Sequence, residues 1–394
     1  MHYYPEQFRI NDLCESWVKR GYDVTVVTGI PNYPEGKFYK GYGWNKKRKD
    51  EVNGVKIRRL RIVSRGRGKI RLAVNYFSFL FAGFFFAKFT KIKTDYIFTF
   101  GVSPLIKAKI ANWYKKNKKV KRIIYVQDLW PENLVSVGIN NGFIIKCVYK
   151  TMQRIYKKTN YILTNSNSFI ESISNMGVSK DKLEFWPQYA ESFYSPYEKE
   201  IIPNDLILDE TINFGFTGNI GEAQGLEILI NSALILKEKG IKVRFNIIGD
   251  GRAKIRLVEN IEKNNVEEYF NFTGRKEAID IPVYLKQCKA VLLTFKESET
   301  LGRTIPAKFQ SYLACGKPII ASTVGEVENI INLEHLGFCS KPGDAEKFAE
   351  NIIKFMKLDD KEINEMCQRA LKYSKMQYDK ENLLKRFDEI LERI

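Results

Sequence analysis

The chain has 394 residues, enough for two domains that each bury a core. Hydrophobic residues make up 44% of it, and no apolar run nears the roughly 18–20 residues that a spanning helix needs, so the sequence reads as soluble. The net charge of +18 is uneven: residues 1–200 carry 36 Lys+Arg against 16 Asp+Glu, a net of +20, and the remainder 28 against 30, a net of −2.

Such asymmetry points to an anionic partner of the first half alone, whether a membrane surface, a lipid phosphate or a nucleic acid, or else to a solvated lysine-rich surface. Six cysteines are scattered without a C-x-x-C pair, which suits a reducing cytosol. The N-terminus lacks the basic-then-apolar pattern of a signal peptide. Two histidines and no Asp-x-Asp pair propose no metal clamp, so metal-independent chemistry is expected.

In chain order, Glu6 to Arg20 reads as a helix ending at Gly21, and Tyr22 to Thr28 as a strand. A helix ahead of the first strand is unusual in a parallel α/β unit. An initial strand is therefore expected to be missing, with His2-Tyr3-Tyr4 as its end. Gly29 to Asn53 reads as a long loop and Val55 to Ile62 as a strand of period two. Leu72 to Phe89 is apolar on nearly every face and is either a core helix or one that dips into a bilayer, with Arg65, Arg67, Lys69, Arg71, Lys88, Lys91 and Lys93 around it.

Strand Tyr96–Phe100, helix Ser103 to about Lys116 and strand Arg122–Val126 follow. Helix Phe143–Lys158, strand Tyr161–Thr164 and helix Asn167–Met176 repeat that order. Lys182–Trp186 closes the first series, and Pro187 to Pro203 breaks periodicity. A second series runs from strand Ile212–Thr217 through Val243–Ile248, Tyr269–Thr273, Ala290–Phe295 and Pro318–Ser322, with helices between. The fold class is α/β, with two Rossmann-like domains whose ligand crevices lie at strand C-terminal ends. The expected division is 1–190, 191–377 and a terminal amphipathic helix 378–394 that packs back, with the first domain as its candidate surface.

Phosphate-binding geometry is proposed where loops leave the second series. Gly218-Asn219-Ile220-Gly221, Gly249-Asp250-Gly251 and Gly274-Arg275-Lys276 each follow a strand, and each could be merely a turn. In TLGRTIPAKFQSYLACGKP, Pro306 suits a helix's first turn and Thr304 its N-cap. Arg303 and Lys308 add cations at that end. No G-x-G-x-x-G or Walker lysine motif occurs, which argues against dinucleotide oxidoreductases and P-loop enzymes. Asp128, at a strand end in Gln127-Asp128-Leu129-Trp130-Pro131, either acts on a ligand or caps the loop.

The segments YYPEQFRIND, RGYDVTVVTGIPNYPEGKFYKGY, QDLWPEN, GFTGNIGEAQGLEILINSA, IIGDGR, TGRK, TIPAKFQSYLACGKPIIAS and Gly325-Glu326 together resemble the family 4 glycosyltransferases. These are of the retaining, two-Rossmann GT-B type, and the likeness is greatest to the bacterial subgroup containing N-acetyl-L-fucosamine transferases of O-antigen and capsule synthesis. The resemblance implies a UDP-sugar donor in the C-terminal domain and an acceptor in the N-terminal one. Donor-site positions are then Gly218, Asn219, Arg275, Thr304, Lys308 and Glu326, with Arg9 and Asp128 on the acceptor side.

Two departures from the family's pattern stand out. Arg303 and Ser311 occupy the places of its paired glutamates, and Asn219 and Gln224 those of its Arg and Lys. Phosphate neutralisation should therefore fall on Arg303, Lys308 and backbone amides, with Lys308 stabilising the departing diphosphate and Asp128 a weaker candidate base. The implied partners are a nucleotide-sugar, a polyprenyl-diphosphate-linked acceptor and an anionic membrane at the inner face of the cell membrane, with no cofactor. Two rivals remain. A UDP-sugar 2-epimerase of the same architecture is disfavoured by the scarcity of histidine. A nucleic-acid binder is disfavoured because the aromatic residues form a block and are not interleaved with basic ones.

Overall fold

The computed structural model describes residues 2–6, 8–114, 116–136, 138–207 and 209–394. The chain divides into two compact units: residues up to 163 with 173–184, and residues 164–172 with 185–394.

In the first unit α1 (Arg9–Lys19) leads into β1 (Thr25–Gly29), and no strand precedes α1 among the described residues. The interval 29–53, expected as loop, contains β2 (Lys49–Val52), which pairs antiparallel with β3 (Val55–Leu60). The turn between them is Asn53-Gly54, with φ of 50° and 77°, the pair of positive values that a tight hairpin needs and that Asn-Gly supplies. β3 also pairs parallel with β1, giving the order β1-β3-β2.

After α2 (Lys69–Phe89) come β4 (Tyr96–Gly101), α3 (Lys109–Trp113), β5 (Lys121–Val126), α4 (Glu132–Ser136), α5 (Gly142–Lys157), β6 (Tyr161–Thr164), α6 (Asn167–Ser174) and β7 (Leu183–Phe185). The second sheet runs β4-β5-β6-β7, with β4 and β5 parallel. The helix expected from Ser103 to Lys116 is broken. Ser103 donates its backbone N–H and its hydroxyl to Asp128, and Pro104 after it is extended, with ψ of 133°, so no helix starts before Leu105 and only a 3-10 turn (Leu105–Ala108) and α3 form.

α2 departs from the core helix that was one of its two expected roles. Asn75, Phe79, Gly83 and Ala87, four residues apart, are buried, whereas Phe77, Phe81, Phe85 and Phe89 on the opposite side are 65, 68, 44 and 66% exposed. The helix is packed along one row and bare along the other; it is not a core helix.

The second unit carries β8 (Ile212–Thr217), α7 (Glu227–Glu238), β9 (Val243–Ile248), α8 (Lys254–Lys263), β10 (Phe270–Phe272), α9 (Ile281–Lys286), β11 (Ala290–Thr294), α10 (Glu299–Gly302), α11 (Ala307–Ala314), β12 (Ile319–Ser322), α12 (Glu326–Leu333), β13 (Gly337–Ser340), α13 (Ala345–Met356), α14 (Asp360–Tyr378) and α15 (Lys380–Arg393). Its sheet is parallel in the order β10-β9-β8-β11-β12-β13. That is the doubly wound order whose direction reverses between the first and fourth strands, here β8 and β11, and ligands bind beyond the strand ends at such a reversal.

Both sheet faces are covered, which is why β11 and β12 read as unbroken apolar runs. Leu292 and Ile320 point into the core that holds Leu229 and Phe348, and Val291, Leu293, Ile319 and Ala321 into the core that holds Leu285 and Phe309. The terminal stretch 378–394 is preceded by a long helix, α14, and Asp379 interrupts the two and caps α15 through Asn382 N–H at 2.8 Å. Within the second unit Trp186 Nε1 donates to the Leu383 carbonyl (2.9 Å) and Arg386 donates to that of Phe185 (2.8 Å).

Candidate active site

At the end of β8 the chain passes Thr217 into Gly218, whose φ of +118° is open only to glycine. Gly218 N–H donates to Ile248 O, and Ile220 N–H donates to Asp250 O, both at 2.9 Å, so the loops after β8 and β9 are laced together. The lacing demands glycine opposite: a Cβ on Gly249 would lie 1.8 Å from Gly218 O, and one on Gly251 would lie 2.2 Å from Ile220 O. The loop after β11 joins the same rim, because Lys296 N–H donates to Ala223 O and the Thr294 hydroxyl donates to Gln224 O.

α11 is seated on this rim by Tyr312, whose phenol oxygen accepts from Thr217 N–H (2.8 Å) and meets the Thr217 hydroxyl (3.2 Å). One turn earlier on α11, Lys308 reaches back over the end of β8. Its Nζ lies 3.7 Å from the Phe216 ring centroid and 3.5 Å from where a Cβ on Gly218 would be. The half-buried ammonium is partly stripped of water by the protein around it, which lowers its pKa from 10.5 to about 7. A desolvated cation beside a glycine loop, at the sheet's reversal point, is built to meet an anion.

The start of α11 differs from expectation. Pro306 is the N-cap itself, with ψ of 148°, and Thr304 caps nothing there: its hydroxyl donates to Thr300 O (2.9 Å), closing the preceding turn. Pro306 holds Ile305 away from helical backbone and is itself extended, so the helix starts two positions later than expected.

Arg303 and Glu326 are brought to a different place, the segment 164–172 of the same unit. Arg303 Nη1 donates to Ser172 Oγ (2.8 Å), while Ser166 Oγ donates to Arg303 O (2.6 Å). The Glu326 carboxylate accepts from Asn167 N–H and Ser168 N–H, each at 3.1 Å, and from the Ser168 hydroxyl. It thereby satisfies the first amides of α6, as a cap would. Asn219 is exposed beside Gly218, and Arg275 is exposed on the loop after β10.

In the first unit Asp128 follows β5 and accepts from Ser103 N–H and Ser103 Oγ, both at 2.7 Å, and Trp130 Nε1 and Asn133 Nδ2 donate to that same Oγ at 3.2 Å. Lys107 lies close by and is buried. Desolvation lowers its pKa to about 8, and the negative charge of Asp128 offsets part of that fall. Arg9, first residue of α1, has its charge near Tyr125 of β5, whose phenol burial pushes well up. Arg9 and Asp128 thus both lie toward the C-terminal end of β5. Ser103, Lys107, Trp130, Phe216 and Tyr312 were not singled out by sequence. Asp128 and Lys308 pointed to these neighbourhoods, but no local pattern announces partners 25 or 95 residues away.

Residues 198–376 match the family model described as glycosyl transferases group 1. The chain is a glycosyltransferase. Consistent with that, this glycosyltransferase is 25% identical over 273 residues to the probable glycosyltransferase WbjE of Pseudomonas aeruginosa, covering 66% of this chain and 65% of that one. It is 23% identical over 391 residues to the putative colanic acid biosynthesis glycosyl transferase WcaI of Escherichia coli K12, covering 95% and 93%.

Among solved structures it is similar to sucrose-phosphate synthase from Thermosynechococcus elongatus (TM-score 0.73, 15% identity, 98% of this chain and 92% of that one). It is also similar to Anabaena HepE in complex with UDP-glucose (TM-score 0.63, 15% identity, 87% of each). At such identity these likenesses show the fold, the α/β GT-B architecture.

Proposed function

We propose that this glycosyltransferase moves a sugar, with retention, from a UDP-sugar to a lipid-linked saccharide in the assembly of a cell-surface polysaccharide of the O-antigen or capsule kind. It would do so as a cytoplasmic protein peripheral to the inner face of the cell membrane. The observation that carries the reading is Lys308, a desolvated cation held over the Gly218 loop at the sheet's reversal point. The UDP-glucose held by HepE supports the choice of nucleotide, and the colanic acid role in the name of WcaI supports the choice of product. The sequence's resemblance to N-acetyl-L-fucosamine transferases makes UDP-N-acetyl-L-fucosamine the first donor to assay.

In this reading the bond between the anomeric carbon and the phosphate oxygen breaks as the acceptor hydroxyl bonds to that carbon on the same face. The hydroxyl proton passes to the leaving phosphate oxygen. Charge grows on the diphosphate, and the fixed ammonium of Lys308 with the amides around Gly218 stabilises it without water having to reorganise. No metal is called for. Asp128 binds the acceptor and is a secondary candidate for its proton; Arg9 completes that side. Asn219, Arg275, Arg303, Thr304 and Glu326 complete the donor side, Arg303 and Glu326 by shaping it through residues 166–172.

Calorimetric titration tests the reading. UDP is expected to bind more tightly than GDP, ATP or NAD, and Lys308→Met to abolish the preference. Equal affinity of wild type and variant for UDP would overturn it. Interconversion of free UDP-sugar without acceptor would replace it with the epimerase.

A further inference from the structure

Among the described residues α2 is the one helix long and apolar enough to cross a membrane, yet its packing forbids crossing. Asn75 Nδ2 donates to Val63 O (2.6 Å), and Val63 N–H donates to Ser78 Oγ (2.9 Å). Phe79 is packed with Ile30, Leu60 and Ile62, and Ala87 with Tyr114 and Val120. A Cβ on Gly83 would lie 2.3 Å from Ile110 Cδ1, so the Ile110 side chain of α3 packs onto the bare backbone of α2. To span a bilayer the helix would have to leave all of these contacts.

The opposite row carries Ile70, Val74, Phe77, Phe81, Phe85 and Phe89, all exposed. Its rings already touch one another, Phe81 and Phe85 at 4.9 Å and Phe85 and Phe89 at 6.2 Å between centroids. At 1.5 Å per residue the row is about 28 Å long, a ridge suited to lying along a surface.

Charge identifies what covers it. No Asp or Glu occurs between Glu51 and Asp95, while Arg67 and Arg71 are exposed at one end of the ridge and Lys88, Lys91 and Lys93 at the other. Lys88 Nζ sits over the rings of Phe84 (5.8 Å) and Phe89 (5.5 Å), its stem along the apolar surface and its charge at the edge. A second copy of this chain would bring cations against cations. Anionic headgroups over an acyl phase match both features.

We propose that α2 docks flat on an anionic phospholipid bilayer, its Phe77-Phe81-Phe85-Phe89 row sunk to the headgroup–acyl boundary and its terminal cations against the phosphates. This deepens the membrane part of the function proposed above by naming the surface that meets the lipid. Vesicle binding needs neither donor nor acceptor, so its failure would leave the transferase reading standing.

The test is flotation with vesicles of phosphatidylcholine alone or mixed with phosphatidylglycerol. Wild type should float with the mixed vesicles at moderate salt. Phe81→Ser/Phe85→Ser should bind about tenfold or more weakly, since each exposed ring contributes its own burial. Lys91→Glu/Lys93→Glu should lose the preference for phosphatidylglycerol. Retained UDP binding in each variant, and unchanged transfer to a water-soluble acceptor, certifies the fold. Wild type that stays unbound, or a Phe81→Ser/Phe85→Ser protein that floats equally well, overturns the proposal. So does sedimentation velocity showing a lipid-independent dimer that the same substitutions dissolve, which would make a second copy the occupant.

Discussion

Each unit holds one desolvated lysine near the C-terminal end of a central strand, and the two lysines differ in one respect. Lys107 in the first unit is lowered to about 8 with the Asp128 carboxylate as a counter-charge; Lys308 in the second is lowered to about 7 with only the Phe216 ring beneath it. A buried cation answered by a carboxylate is part of the scaffold. One left unanswered is a cost the fold retains for something that arrives later, since desolvation of an unpaired charge opposes folding. The pair shows why the count of basic residues, which spoke only for an anionic partner of the first half, is silent on donor chemistry: the first unit has the charge excess, and Lys308 of the second has the Phe216 ring beneath it.

The sharpest way to break this comparison is to delete each lysine. Lys308→Ala should lower kcat by about 10²–10³, the loss of one donor aimed at developing charge, whereas Lys107→Ala should leave UDP affinity unchanged. Steady-state kinetics and UDP titration on both variants check this, and the reverse ranking would invert the assignment.

Next comes the constraint on the rim. Gly249→Ala places a methyl against Gly218 O and should cost about 1–3 kcal/mol in chemical denaturation while weakening UDP binding, with no effect on the first unit.

The pH dependence sharpens the contrast further. Lys308 is charged in both native and unfolded chains below about 7; above that the native chain loses its proton while the unfolded one keeps it up to about 10.5. Ligand-free stability from this group is therefore lowest below about 7 and climbs as pH rises through that window. A bound diphosphate requires the proton back, so UDP affinity should fall about tenfold between pH 6 and pH 8. Titration across pH should show both trends, and Lys308→Met should flatten both.

The smallest effect is expected at Glu326→Ala, which removes the acceptor for the first amides of α6. It should cost about 1 kcal/mol in thermal unfolding.

Much of the second unit was legible because a doubly wound sheet writes itself as apolar runs separated by glycine turns; Gly218 and Gly249 follow from that pattern, and Lys308 from its place beside Pro306 at a helix start. β2 was missed although its signal was present, since Asn53-Gly54 between short alternating runs is a hairpin signature. α12, β13 and α14 were missed although Gly325, Gly337 and the Asp359–Glu362 capping box mark their starts. The roles of Arg303 and Glu326 were not legible because they depend on Ser166, Asn167, Ser168 and Ser172, more than 130 positions away. For α2, composition gave apolarity but could not say which side of the helix the rest of the fold would leave uncovered.

α2 is apolar on nearly every face. With oily residues all around its circumference, hydrophobicity alone does not fix the roll of the helix about its own axis. The pins are the Asn75 amide on Val63 and the bare backbone of Gly83 against Ile110. Asn75→Leu with Gly83→Ala would make the helix a poorly indexed cylinder. Its helical content would persist while the ring ladder turned away from its bearing, a change silent in far-ultraviolet dichroism and audible in the aromatic bands.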